Sequence, residues 1–324
     1  MKAIRFHQLG GPDVLQYEEV EKPSPKPGEA LIKVSEVGVN FADTLFSQGA
    51  YLRQPQLPDT PGGEGSGIVE AIGDNVSEKL IGQRVAFLGD RAYAEYTTVN
   101  AKALIPLPDA VSFADGAAFP VQALTAYHML FTCDQVKPGT TVLIHAAAGG
   151  VGLIATQMAK LAGATVYGTT SSEEKAQLAR EYGADEIVLY NQVDFAEEIK
   201  RLTNGRGVDL ILDSVGKTTM EGSFKSLAPF GHLISYGAAS GRPDPIDLIR
   251  CYENSVKVSG FWLVTAMREP EIARAGVMKV FEWMTSGKLK LLIGLHLPLA
   301  QAAEAHRKLS GRDTVGKILL KVAD

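Results

Sequence analysis

Cysteine is scarce in this chain: its 324 residues include two, Cys133 and Cys251, far apart. That excludes a disulfide framework, and no Cys-x-x-Cys pair offers a redox or metal motif. A long apolar run is missing too. The least polar stretch, 140–168, is broken by His145, Gln157, Lys160 and several glycines, which excludes a membrane span there. The opening MKAIRFHQLGG has no apolar core of a secretory signal, so a reducing cytoplasm is the expected compartment, with the mitochondrial matrix as the alternative. Positive charge is not in excess either. A formal net charge of −5, with no basic tract interleaved with aromatics, gives a nucleic-acid partner no support. What is present is the composition of a globular protein, 45% hydrophobic and 21% charged, long enough for two domains. Its 33 glycines suit tight turns and close approach of backbone to a ligand.

The pattern changes twice along the chain. Residues 1–120 read as β-rich: ALIKVSEVGVN, GSGIVEAIGDNV, QRVAFLG and AYAEYTTVNA are short strands punctuated by Gly, Pro, Asp and Asn, which suggests a small barrel-like domain. From about Phe119 onward, apolar strands alternate with helical stretches. TVLIHA, ATVYGT, DEIVL, VDLILD, GHLISY and VKVSGF are six candidate strands. Val151, Ile154, Ala155, Met158, Ala159 and Ala162 share one face of a helix. Such alternation predicts an α/β fold with a parallel sheet covered by helices on both faces. After about Trp262 come a helix over 270–286, the segment KLKLLIGLHLPL, the helical AQAAEAHRKLS and a final strand in VGKILLKV. The expected architecture is discontinuous, with 122–261 inserted and 262–324 returning to complete the domain begun by 1–121.

The strongest local signal is HAAAGGVG. Gly149, Gly150 and Gly152 follow a strand and open a helix, with Val151 among them. A turn without Cβ atoms lets backbone N–H groups approach a pyrophosphate, and the helix N-terminus adds partial positive charge. NAD-specific folds place Asp or Glu at the end of the next strand to hold the ribose hydroxyls. Here that strand ends in Thr169, Thr170 and Ser171, and Lys175 follows one turn into the next helix. A carboxylate would repel a 2′-phosphate, whereas small hydroxyls and a lysine would receive it. The pattern therefore predicts NADPH as cofactor, with Thr170, Ser171 and Lys175 around the phosphate.

Taken together, VGVNFADTLFSQGAY, TPGGEGSGIVEAIGDNV, HAAAGGVGLIATQMAKLAGA, DSVG and the terminal TVGKILL resemble the zeta-crystallin-like quinone oxidoreductases, a branch of the medium-chain dehydrogenase/reductase superfamily. The resemblance runs nearly end to end. It implies a GroES-like catalytic domain formed by both chain ends, an inserted Rossmann domain, and a homodimer or tetramer. It places Asn40 and Asp43 near the nicotinamide or its ribose and Thr125 on the nicotinamide side. Tyr190 would join Ser171 and Lys175 around the adenosine phosphate, with Arg312 reaching the same group. Ser214 and Val215 after the fourth strand, Gly237 after the fifth, and Phe261, Trp262 and Leu263 would line the cofactor.

Zinc-dependent members of the same superfamily need thiolate and imidazole ligands. At the matching positions this chain has Asn40 in place of Cys and Gly63 in place of His, so no metal is expected. Without a Lewis acid the expected acceptors are electron-poor, because a reduced quinone delocalises its charge and a simple alkoxide does not. Tyr51, just past the segment expected to face the nicotinamide, is the candidate hydrogen-bond or proton donor, and His128 reads as a helix-packing residue. The GFWLV stretch also resembles enoyl-thioester reductases, which keeps reduction of enoyl thioesters or alkenals as the rival activity. A non-catalytic NADPH-binding protein is the rival of a different class.

Overall fold

A computed structural model describes residues 1–322. It contains two compact units, Met1–Val121 with the chain from Leu291 onward, and Gln122–Lys290.

In the first unit the strand Glu29–Val39 is central. Its sequence EALIKVSEVGV buries most of its residues, as expected of a strand covered on both faces. It pairs antiparallel with Glu64–Ile72 and, near its C-terminal end, with the tail strand Lys317–Lys321. The strand Ile293–Pro298 runs parallel to that tail strand, so the end of the chain does complete the sheet begun by its start. Ile32, Val34, Val37 and Val39 pack with Phe87, Val99, Ile318 and Leu320 in one core. The register has a local consequence. Ile318 lies opposite Val39, and Gly65 lies opposite Val37. Asn40, Glu64 and Lys317 therefore arrive at the same end of three adjacent strands.

The second unit is the parallel sheet that the alternating pattern predicts. Its six strands are Thr141–Ile144, Thr165–Thr170, Glu186–Leu189, Val208–Asp213, Leu227–Ser235 and Lys257–Gly260. Numbered along the chain, they stand in the order 3-2-1-4-5-6, all parallel. The order reverses beside the first strand, and ligands of such sheets bind beyond the strand C-termini at that point. The helix Gly150–Leu161 starts there and buries Ile154, Ala155, Met158 and Ala159 on its inner face.

One boundary differs from expectation. The change of pattern near Trp262 marks new elements, but the helices Leu263–Met267 and Pro270–Thr285 still belong to the second unit, which ends at Lys290. Side-chain packing explains it. Trp283 stacks near Tyr127 and Phe131, with ring centroids 6.2 and 5.9 Å away. The Gln157 amide donates to the Lys290 carbonyl and accepts from its N–H, at 3.0 and 2.9 Å.

Gly38 has a steric reason in the first unit. A Cβ there would lie 2.6 Å from both the Ala117 carbonyl oxygen and Glu64 Oε1. Gly38→Ala should therefore lower stability by about 1–3 kcal/mol, an overpacking cost. Chemical denaturation checks this, and an unchanged midpoint would show that the strand end can give way.

Candidate active site

The predicted residues fall into separate clusters, each formed by strand ends. In the second unit the strand Thr141–Ile144 leads through His145 and Ala146 into the glycine turn. Ala146 holds a left-handed φ of 53°, and its carbonyl accepts from the Gly149 N–H at 2.8 Å. A Cβ on Gly152 would lie 2.4 Å from that carbonyl oxygen, and one on Gly150 would overlap the Gln122 side chain at 2.0 Å. No side chain caps Gly149, so the first N–H groups of the helix, which have no acceptors within it, are left for a ligand. Gly149, Gly150 and Val151 are half-buried. This cradle fits a pyrophosphate.

Below the turn lies a buried polar brace. His145 is fully buried, with Nδ1 3.0 Å from Thr169 Oγ1 and Nε2 3.0 Å from Ser223 Oγ. Burial holds its pKa below the usual imidazole value, so the ring is neutral, and nearby Asp213 acts against that shift. Asp213 ends the fourth strand. It accepts from the Val215 and Gly216 N–H groups at 2.7 and 2.9 Å and from the Thr219 hydroxyl. This fixes the loop that carries Ser214 and Val215. The Ser214 carbonyl accepts from the Ala239 N–H, and Gly237 lies so close that a Cβ there would be 2.6 Å from the same oxygen.

The end of the second strand gathers the residues expected around an adenosine phosphate. The Tyr190 N–H donates to the Thr170 carbonyl, and the Asn191 amide donates to the Ser171 carbonyl at 3.0 Å. Ser172 caps the helix Glu173–Glu181 by accepting from the Lys175 N–H. Thr170 is buried, Ser171 and Lys175 are half-buried, and Tyr190 is exposed. The next acid along the chain, Glu173, accepts from Arg180 at 2.6 Å. Thr125 is buried on the helix Pro120–Phe131, and the Phe261 N–H donates to the Ser235 carbonyl at the end of the fifth strand. Trp262 caps the helix Leu263–Met267, and Leu263 is buried. His128 packs between helices: its Nδ1 meets Thr132 Oγ1 at 2.9 Å, a Cβ on Gly276 would lie 2.7 Å from its Nε2, and burial pulls its pKa down to about 4.

In the first unit Asn40 caps the helix Phe41–Ser47, and its N–H donates to Asp43 Oδ2 at 2.8 Å. The Asn40 side chain donates to Glu64 Oε1 at 2.7 Å and accepts from Lys317 Nζ at 2.8 Å. Lys317 and Glu64 form a fully buried ion pair, and the second Glu64 oxygen accepts from the Val121 N–H at 2.7 Å. Asp43 also accepts from the Tyr93 hydroxyl at 3.1 Å. Tyr93 has then used its proton, so His306 Nε2, 3.1 Å away, donates to the phenolic oxygen. Burial depresses the His306 pKa to about 4 and keeps the ring neutral. The structure joins Asn40 and Asp43, both singled out in the sequence, to Glu64, Tyr93, His306 and Lys317, which were not. The available signal was a charged residue set inside otherwise buried strands, Glu64 between glycines and Lys317 before ILL. Tyr51 is half-buried in the loop after this helix, its carbonyl receiving the Gln54 amide at 2.8 Å. Arg312 is exposed with a left-handed φ of 61°, in the turn before the tail strand. Among the described residues no three His, Cys, Asp or Glu side chains are arranged to hold a metal ion.

Two family comparisons and three relatives bear on this arrangement. The alcohol dehydrogenase GroES-like domain matches residues 26–109, and the zinc-binding dehydrogenase family matches 150–278. A quinone oxidoreductase of Pseudomonas aeruginosa is 38% identical over 324 residues, covering 98% of this chain and 99% of that one. A 2-haloacrylate reductase of Burkholderia is 36% identical, covering 98% of each. The crystal structure of Escherichia coli quinone oxidoreductase complexed with NADPH superposes with a TM-score of 0.96 at 34% identity, covering 99% of this chain and 100% of that one.

The electrostatics of Asp43 predict a pH effect. Burial lifts its pKa from 3.8 to about 6, although the Asn40 N–H, the Lys317 charge and the Tyr93 hydroxyl pull it back. Folding therefore favours the protonated carboxyl, and the ionised form costs stability above pH 6. Asp43→Asn removes that cost. Relative to the parent, the variant should gain stability as pH rises from 4 to 7, by at most about 3 kcal/mol for a shift of this size. Urea unfolding of both proteins across that range is the check, and a constant difference would refute it.

Proposed function

The chain belongs to the quinone oxidoreductase family of medium-chain dehydrogenases/reductases, and on that premise we propose that it reduces quinones with NADPH and without a metal. The observation that carries the cofactor reading is the end of the strand Thr165–Thr170, where Thr170, Ser171, Tyr190 and Lys175 gather and the neighbouring Glu173 is held by Arg180. Hydroxyls and an ammonium suit a 2′-phosphate, and no carboxylate stands at the strand end to select the free ribose. The turn at Gly149–Gly152 binds the pyrophosphate through backbone N–H groups, and Thr125, Ser214, Val215, Gly237 and Phe261 to Leu263 line the remainder. When bound, NADPH supplies the hydride. The chain's own residues bind, orient and exclude water.

The acceptor reading rests on donor chemistry. A carboxamide at 40 and a glycine at 63 supply neither thiolate nor imidazole, so nothing there holds a Lewis acid against a carbonyl oxygen. Asn40 and the Tyr51 loop then offer only hydrogen bonds and contact surface. That suffices for an acceptor whose reduced form spreads its charge over an aromatic ring. The rival reading, reduction of an activated alkene, is favoured by the similarity to the 2-haloacrylate reductase. We further place the enzyme in the cytoplasm as a homodimer. The strand Lys257–Gly260 stands last in its sheet; Phe230, whose N–H donates to the Asn254 carbonyl just before that strand, is exposed, as are Leu248, Ile249 and Tyr252.

The test is NADPH oxidation by EDTA-treated protein with 1,4-benzoquinone, 9,10-phenanthrenequinone, an alkenal, a haloacrylate and a crotonyl thioester in parallel, with NADH as control. Quinone turnover that prefers NADPH and survives EDTA is the expected result. Turnover confined to the alkenes would move the protein to the rival reading, and none at all with tight NADPH binding would make it a non-catalytic binder. Separately, Lys175→Ala should raise the NADPH KM about tenfold or more with little change in kcat, as loss of one charge-assisted phosphate contact would. An unchanged KM would remove Lys175 from the phosphate site.

A further inference from the structure

The ion pair behind Asn40 can specify strand register but is not needed for net stability. The strand Lys317–Lys321 buries Ile318, Leu319 and Leu320, and an apolar residue at 317 would continue that pattern. A buried ion pair is commonly no more stabilising than well-packed apolar residues of the same volume. Lys317 and Glu64 are nevertheless 1% and 0% exposed, and their contacts converge on one side chain. Lys317 Nζ donates to Asn40 Oδ1 at 2.8 Å, and Asn40 Nδ2 donates to Glu64 Oε1 at 2.7 Å.

These partners determine the orientation of the amide. An ammonium only donates and a carboxylate only accepts, so the carboxamide cannot turn over without losing both bonds and facing two repulsive contacts. One N–H of Asn40 is thereby committed to Glu64, and the other is presented in a single direction. Asn40 is half-buried, so this second N–H has an outward side to face. Gly38 keeps the arrangement possible, because any Cβ there would press on Glu64 Oε1.

We propose that Lys317 is a positioning residue for the reduction, its buried ammonium, held by Glu64, fixing which way the Asn40 carboxamide faces. The inference rests on the reading that puts Asn40 at the nicotinamide or acceptor. Lys317 acts through Asn40 and touches neither cofactor nor substrate in this account.

The experiment combines kinetics with a readout that needs no turnover. Protein labelled with 15N-asparagine shows the Asn40 side-chain amide, assigned by its loss in Asn40→Ala. In the parent its two protons should be well separated and slow to exchange with water. In Lys317→Met they should move toward free-amide shifts and exchange faster. Lys317→Met should also lower kcat about ten- to hundredfold, the scale of a misplaced positioning group, with the NADPH Kd unchanged. In the Asn40→Ala background the same change should cost less than about twofold, because residues acting as one unit are not additive. Lys317→Met leaves Glu64 alone, so the double variant Lys317→Met with Glu64→Met serves where the single one folds poorly. It should recover the thermal midpoint and not kcat. Unaltered Asn40 amide signals in Lys317→Met, full activity in the double variant, or an equal loss in the Asn40→Ala background would each overturn the proposal. If Asn40→Ala itself keeps the parental kcat, the site reading falls, and the amide signals alone still decide whether Lys317 orients Asn40.

Discussion

The pairing of the tail strand with Glu29–Val39 is the constraint on which the first unit depends. It joins residues nearly three hundred positions apart and sets the register that brings Lys317 beside Asn40 and Glu64. Shifting that register by one residue would turn Lys317 to the other face of the sheet. It would leave Glu64 buried without its cation, and breaking such a pair costs about 3–5 kcal/mol. The ion pair is thus weak as net stabilisation and strong as a specification of register. Asp43, Tyr93 and His306 extend the same buried network by single hydrogen bonds. Asp43, Tyr93 and Asn40 in turn fix the start of the helix Phe41–Ser47, so the segment leading to Tyr51 is oriented from below by charge and from above by its own loop.

The second unit solves a similar problem with a buried imidazole and a hydrogen-bonded carboxylate. A glycine turn that admits a pyrophosphate must leave the first N–H groups of its helix unpaired, so its own backbone bonds, such as that from Gly149 to Ala146, hold it only in part. His145 and Asp213 hold it from beneath, tying the first strand to the second through Thr169 and to the helix after the fourth strand through Ser223. The imidazole is neutral because burial penalises the imidazolium, and it serves through its two ring-nitrogen contacts rather than through charge.

The parallel sheet was almost wholly legible in the sequence, because its inner strands are buried on both faces and read as apolar runs between glycines and helices. All six candidate strands are present, and the helix expected over 270–286 spans Pro270–Thr285. The strand, glycine turn and helix, and the run of Thr170, Ser171 and Lys175, were legible because they are local in the sequence, whereas Tyr190 reaches them only through the pairing of two strands. The boundary at Lys290 was not, because it depends on Trp283 meeting Tyr127 and Phe131, a contact no periodicity records. The network of Lys317, Glu64, Tyr93 and His306 was not legible either. Glu64 and Lys317 stand out only as charges within apolar segments, Tyr93 and His306 not at all, and the strand register is what brings them together.

The charge-paired interior bears on which acceptors the site can serve. A metal ion stabilises a developing alkoxide by several kcal/mol. A single neutral hydrogen bond from a carboxamide contributes on the order of 1 kcal/mol net, somewhat more to an anion. The positive charge nearest Asn40 is already matched by Glu64, so little of it reaches beyond the amide. An acceptor that gathers its charge on one oxygen would be poorly served by such surroundings. One that spreads the charge over a ring asks mainly for orientation and exclusion of water, and those are what a locked amide and a half-buried aromatic loop supply. In the proposed reading Asn40 thus serves as a hydrogen-bonding group in place of a metal ligand, with the buried ion pair keeping its amide in one orientation.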